Sequence, residues 1–376
     1  MSSRRWVAGG LAALGAAGVG AAVGGVARQS RRIAAREGRV EDLGSLRGEA
    51  STVVASDGVG LHVEVDELAE DEAAEQRTGS PTVVLVHGYV LNQDCWHYQR
   101  AHLRGSHRVV LYDQRSHGRS DASHVENATI DQLGDDLHRV LQHVAPDQDV
   151  VLVGHSMGGM TIMAYAEQHP EAFETFVKGV ALVSTTAGGL TPSHIAVPWL
   201  PRRLSGLSSK VADHGVATLA RGSKAVDLLR KAGSSVQRVI TDRYAFGSEV
   251  PPDVLDYVDE MIGETSFDVI SDFFPNFGDL DKYDVLDALS EVPTWIVCGT
   301  DDRLTSIEHS RTMAEMMPWA ELVEIEGAGH MVIMEEAVAV NAALDDLIAA
   351  AAAGTHDPSS WRERLRRSRS RDRRKQ

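Results

Sequence analysis

The tightest constraint in this chain is six residues long. Gly154-His155-Ser156-Met157-Gly158-Gly159 follows the apolar run Val150–Val153 directly and leads straight into a helical pattern. Strand, tight turn and helix in that order lift a serine hydroxyl clear of a sheet. Such a turn strains the serine backbone, and the glycines two places to either side of Ser156 lack side chains so that neighbouring chain can pass. The new helix aims its first unpaired N–H groups at the same spot, where an anion would be held. One turn therefore supplies both a reactive hydroxyl and an anion-stabilising end.

The same alternation of strand and helix runs through the rest of the central chain. Apolar runs at Thr82–Val86, Arg108–Tyr112, Val150–Val153, Gly179–Val183, Thr294–Val297 and Leu322–Ile325 read as strands buried on both faces, as a parallel sheet requires. Ser51–Ala55 and Leu61–Val65, joined through Asp57-Gly58, read as an opening hairpin. Helical patterns fall at Asp94–Leu103, Thr129–His143, Met157–His169, Ser306–Met316 and Glu335–Ala351. The expected fold is α/β, a mostly parallel eight-stranded sheet flanked by helices. Acidic residues 66–80 read as a surface loop. About a hundred residues separate the strand ending near Ser184 from the one starting at Thr294, too many for a structureless loop. Helical patterns at Ser209–Arg221, Ala225–Ala232 and Val254–Gly263, with five of the seven phenylalanines, mark this stretch as an inserted helical cap.

With 376 residues, 43% of them hydrophobic, the chain can bury a full core, and its net charge of −17 is unevenly spread. Residues 1–39 carry +6 and residues 361–376 carry +7, which leaves −30 on the body between them. A body that acidic repels nucleic acid, so no nucleic-acid partner is expected. The uncharged stretch Val7–Ala27 is long enough to cross a hydrocarbon core as a helix, although its seven Gly and eight Ala insert weakly. Ser3, Arg4 and Arg5 ahead of it resemble a twin-arginine export signal, whereas Arg28, Arg31, Arg32 and Arg36 behind it favour an anchor with the body held inside. Membrane association or export is expected, with the side of the membrane open. The Arg/Ser tail Trp361–Gln376 reads as disordered, with anionic headgroups as its functional partner. Cys95 and Cys298 form no thiol motif and read as buried apolar groups, and HExxH is absent, so neither metal nor cofactor is expected. The expected divisions are a leader or anchor with basic flank at 1–39, a core in two parts at 40–187 and 291–353, the cap at 188–290, and a basic tail at 354–376.

A nucleophilic serine needs a base, and the base needs an orienting acid. His330 lies in Gly327-Ala328-Gly329-His330-Met331, a glycine-freed loop after the last strand, where an imidazole can reach across the strand ends. The loop after Gly179–Val183 reads Ser184-Thr185-Thr186-Ala187 and offers no carboxylate, whereas the loop after Thr294–Val297 offers Asp301 and Asp302. That settles the strand and leaves a choice between neighbours. The oxyanion hole is assigned to the N–H of Met157, just after the serine, and the N–H of Tyr89 in His87-Gly88-Tyr89-Val90. His87 itself reads as a structural hydrogen-bonder, since His330 already supplies the base.

Taken together, these residues resemble the α/β-hydrolase superfamily in its serine branch with a helical cap, over about Ser51 to Ala352. The resemblance rests on His87-Gly88, on Asp113-Gln114-Arg115-Ser116-His117-Gly118-Arg119-Ser120, on the serine turn, and on the two late loops. It implies the order nucleophile, acid, histidine, which Ser156, Asp302 and His330 obey, and an acid three residues after the glycine ending its strand, which favours Asp302 over Asp301. Ser116 stands where the family usually has glycine, a small-for-small exchange expected to cost little. Family members that open alkyl halides or epoxides use aspartate at this turn, and the acyltransferases carry an HxxxxD motif that is absent here. The resemblance thus implies a carboxylic-ester hydrolase, lipase-like in preferring apolar acyl groups and acting on a small-molecule ester. The same triad also serves cofactor-free perhydrolases (haloperoxidases) and carbon–carbon bond hydrolases, and the fold also serves receptor-like ligand binders.

Overall fold

A computed structural model describes residues 28–38, 42–68, 80–146, 148–190, 234–354 and 356. The expected cap helices Ser209–Arg221 and Ala225–Ala232, the stretch Val7–Ala27, most of the acidic loop and the tail Trp361–Gln376 lie outside them.

Eight strands form one sheet: β1 (Glu49–Val54), β2 (Gly60–Asp66), β3 (Thr82–Val86), β4 (Val109–Tyr112), β5 (Val150–His155), β6 (Val177–Val183), β7 (Thr294–Gly299) and β8 (Glu321–Ile325). Their order is β1-β2-β4-β3-β5-β6-β7-β8, with β2 antiparallel to both neighbours and the rest parallel. The helices are α1 (28–34), α2 (His97–Leu103), α3 (Ile130–Val144), α4 (Met157–Gln168), α5 (Glu171–Thr175), α6 (Ser234–Ala245), α7 (Pro252–Glu264), α8 (Phe267–Phe273), α9 (Pro275–Asp279), α10 (Ile307–Met316), α11 (Val332–Glu335) and α12 (Ala337–Ala353).

The continuous apolar strands are explained by two cores. Val84 and Val86 of β3, Leu152 of β5 and Leu182 of β6 join a cluster with Leu133 and Leu137 of α3 and Met160 of α4. Val83, Leu85, Val153 and Val183 point the other way, into a cluster with Leu103 of α2, Val254 and Val258 of α7, and Leu344 of α12. Successive side chains of a strand face opposite ways, so a strand covered on both faces must be apolar throughout. Each fully buried Val or Leu contributes about 1.5–3 kcal/mol.

The expected elements appear with boundary shifts of a few residues, and α2 is entered through a 3-10 turn, Gln93–Trp96. Thr129 caps α3, its hydroxyl accepting from the Gln132 N–H, and Pro252 starts α7 where a missing N–H costs nothing. Both cysteines are free and buried. Burial pushes the Cys298 thiol up to about 12, so it stays protonated and inert.

The structure differs from the sequence reading at the amino-terminal flank. Residues 28–38 are packed on the body rather than set apart from it. Ile33 is fully buried in the same apolar cluster as Val254, Leu255 and Val258 of α7. Arg36 pairs with Asp242 of α6 at 2.6 Å, and Gln29 reaches the same carboxylate at 3.1 Å. The four arginines there suggest the basic flank of an anchor, set apart from the fold, but Arg36 pairs with α6 while Arg28, Arg31 and Arg32 stay exposed. Among the described residues no helix is long and apolar enough to cross a membrane.

Candidate active site

The loops after β3, β5, β7 and β8 all leave the carboxyl edge of the sheet, the edge where parallel strands leave room for a ligand. Ser156 sits at the end of β5 with φ 53° and ψ −117°, a positive φ that non-glycine residues rarely adopt. The flanking glycines are required sterically. A Cβ on Gly158 would stand 2.1 Å from the Val86 carbonyl oxygen, and one on Gly154 would stand 2.5 Å from Gly158. The Met157 N–H begins α4 and has no helical acceptor by geometry.

On the other side of the site, the His330 Nδ1 lies 2.9 Å from Asp302 Oδ2, with Asp302 wholly buried at the side chain. The other carboxylate oxygen accepts the N–H groups of Leu304 at 2.8 Å and Thr305 at 2.9 Å, a turn that aspartate closes through its own side chain. Burial alone would raise the Asp302 pKa. The facing His330 and the hydrogen bonds from it and from the two backbone groups outweigh burial and hold the carboxyl below the usual range, ionised. Asp301 is exposed and points elsewhere, so it is Asp302 that meets the histidine. The Thr305 hydroxyl stands 3.0 Å from Asp302 Oδ2 and 3.3 Å from His330 Nδ1, a partner that the sequence reading missed. Its only signal was the Asp-x-x-Thr spacing.

Ser156 and His330 line one cavity of 110 Å3 with Tyr89 and Val90 from the loop after β3. The remaining wall is mostly apolar, with Leu91, Met160 and Leu190, Ala245 of α6, Val258 and Ile262 of α7, Phe277, Leu304 and Met331, and His155 and Thr305 are its polar members. Among the described residues no carboxylate, lysine or arginine lines it. The Tyr89 phenol donates to the Ile270 carbonyl on α8, which ties the loop after β3 to that helix. Val90 has φ 57°, a costly conformation for a β-branched residue, held at the rim of the cavity.

His87 behaves as a brace. Its Nδ1 donates to the Gly88 carbonyl at 2.7 Å, its Nε2 accepts the Gln114 N–H at 2.8 Å, and the Gln114 amide donates to its carbonyl at 2.6 Å. The loop after β4 thus holds the loop after β3. Asp113 supports it in turn, accepting the N–H groups of Gln93 and Arg119. Ser116 has φ 64°, the conformation for which glycine is usual, and its hydroxyl offsets the strain by accepting the Ser123 N–H at 2.9 Å.

An eight-stranded sheet of this order with a strained serine at the end of β5 defines a hydrolase of the α/β class. The chain belongs to the alpha/beta hydrolase family, whose model matches residues 83–343. It is 26% identical over 269 residues to an epoxide hydrolase of Caenorhabditis elegans, covering 70% of this chain and 65% of that protein. It is also 26% identical over 258 residues to a non-heme chloroperoxidase of Kitasatospora aureofaciens, covering 67% of this chain and 86% of that one. Thus the chain spans just under two thirds of the epoxide hydrolase and more of the chloroperoxidase. Among solved structures, an esterase of Thermogutta terrifontis superposes with a TM-score of 0.61 at 22% identity, over 82% of this chain and 100% of that one. At that identity the superposition supports the fold.

Proposed function

We propose that this protein hydrolyses carboxylic esters with short, uncharged acyl groups through a serine acyl-enzyme. The observation that carries the reading is the 2.9 Å contact between His330 and Asp302 on the wall of the apolar cavity shared with Ser156. Ser156 attacks the ester carbonyl and passes its proton to His330, whose imidazole Asp302 holds by Nδ1. The N–H groups of Met157 and Tyr89 receive the oxyanion. Collapse expels the alcohol, which takes the proton from His330, and water then releases the acid by the same steps.

Serine chemistry argues against epoxide opening despite the relative of that name. Attack by a hydroxyl on an epoxide carbon leaves an ether with no carbonyl for water to attack, so turnover would stop at the first step. Size narrows the lipase-like expectation further. The described part of the cavity, 110 Å3 and partly open to solvent, favours short acyl groups. Initial rates on p-nitrophenyl acetate, butyrate, octanoate and palmitate test this. Activity should peak at the short esters and vanish in Ser156→Ala, whereas a palmitate optimum or undiminished turnover by the variant would overturn it.

The chloroperoxidase relative supports a second reading, perhydrolysis, in which hydrogen peroxide replaces water in deacylation and a peracid leaves. Peracid formation from acetate and peroxide would reveal it. We also propose that Val7–Ala27 and the basic tail tether the body to a membrane. Co-sedimentation of the full chain with anionic vesicles, compared with a chain starting at residue 28, tests the tether.

A further inference from the structure

The residue before the nucleophile, His155, takes no part in the proton relay, yet its ring lies against three parts of the site. Its side chain is fully buried and lines the cavity. The Nε2 lies 2.9 Å from the backbone carbonyl oxygen of His330. A carbonyl oxygen only accepts, so Nε2 carries the hydrogen and Nδ1 is a bare lone pair. That Nδ1 has no hydrogen-bond partner among the described residues. It rests against Gly88, where a Cβ would come within 2.8 Å of it, in the loop that carries Tyr89. The ring centre is 4.9 Å from that of His330, and the Trp96 indole stands edge-on at 6.3 Å.

The base loop has need of such a contact. Gly327 and Gly329 leave it little intrinsic stiffness, and it is held by bonds at its ends: the Gly327 N–H to Thr300, the Gly329 N–H to Glu335, and the Met331 N–H to the Ala245 carbonyl. The His155 bond acts on the carbonyl of residue 330 itself, and its donor is joined to Ser156 by one peptide. The bond therefore ties the residue that carries the base to the residue beside the nucleophile, in addition to the Asp302 contact on the imidazole. Burial, reinforced by the neighbouring His330 charge, pushes the His155 pKa down to about 3. A ring that stays neutral adds no cation beside an imidazolium forming on His330.

We propose that His155 is a positioning residue that fixes His330 over Ser156 by donating Nε2–H to the His330 carbonyl. The inference rests on the serine-hydrolase reading above. The test compares His155→Gln with His155→Asn in the full chain, alongside His155→Phe, with circular dichroism and thermal melts confirming the folded state. Glutamine places an N–H donor near the reach of Nε2; asparagine, of the same chemistry, falls short of the carbonyl. The glutamine variant should keep most of the wild-type kcat, while the asparagine and phenylalanine variants lose about 10²-fold with KM little changed. Equal kcat in the glutamine and asparagine variants, or wild-type kcat in a folded phenylalanine variant, overturns the proposal. A wild-type protein that neither hydrolyses esters nor reacts with a fluorophosphonate overturns the serine-hydrolase reading instead, so the two failures are distinct.

Discussion

Asp302 shows how much a single carboxylate depends on its surroundings. Its side chain is shut off from solvent, which alone would favour the neutral acid, yet His330 and the Leu304 and Thr305 N–H groups keep it charged. Asp302→Asn should therefore lower kcat about 10⁴-fold by misorienting the imidazole, while Asp301→Asn, at an exposed side chain, leaves the rate intact. Steady-state rates on one short ester decide between them, and equal losses in the two variants would sink the assignment. At this scale the serine was legible in the sequence because its turn is built from adjacent residues. The choice between Asp301 and Asp302 was not legible from the residues alone. It turns on which side chain closes a turn back onto Leu304 and Thr305 and which is left to solvent, and the family spacing supplied the answer that local composition could not.

Among the elements, α1 is the one whose role the sequence concealed. Its arginines suggested the basic flank of an anchor or leader, and one isoleucine among them carried no pattern, yet Ile33 is fully buried and Arg36 is spent on Asp242 of α6. α6 is equally inconspicuous, since Ser, Gln, Arg, Thr and Asp dominate Ser234–Ala245 and only packing makes it a helix. α1 thus shares an apolar cluster with α7 and an ion pair with α6, the two helices that also line the cavity. Ile33→Ala should cost about 3 kcal/mol in urea denaturation, as a buried isoleucine lost from a packed cluster does. A chain starting at residue 28 should match the full chain in stability, and one starting at residue 42 should fall below it. Identical midpoints for all of them would show that α1 contributes nothing to the fold.

For the whole molecule, three buried imidazoles set a pH dependence. Burial is the first cause in each, pushing His87 down to about 4 and His117 and His155 down to about 3. Above about pH 6.5 all three are neutral in both the folded and the unfolded chain. As the pH falls below that value the unfolded chain takes up protons that the folded chain refuses, until about pH 4 and then 3. The contribution of these three groups to stability is thus complete above about 6.5 and falls as pH falls through the window. Melting temperatures recorded from pH 7.5 to 4.5 should decline accordingly, and a flat profile would contradict the buried neutral assignment. The eight-stranded, mostly parallel sheet was expected at this scale because buried parallel strands must be apolar on both faces, a property that each strand carries in its own residues, whereas their order in the sheet came from the structure.

The sequence by itself determined what neighbours in the chain can specify: the strand–serine–helix turn, the apolar strands, the caps that start α3 and α7, and through these the family. Tertiary structure decided what depends on segments far apart in the chain. It shaped the cavity, used Thr305 to support the Asp302–His330 pair, placed His155 against the base loop, and joined α1 to α6. Hydrophobic periodicity and turn chemistry act over a few residues, whereas a cavity's size and a side chain's partner are properties of surfaces that meet only after the chain has folded.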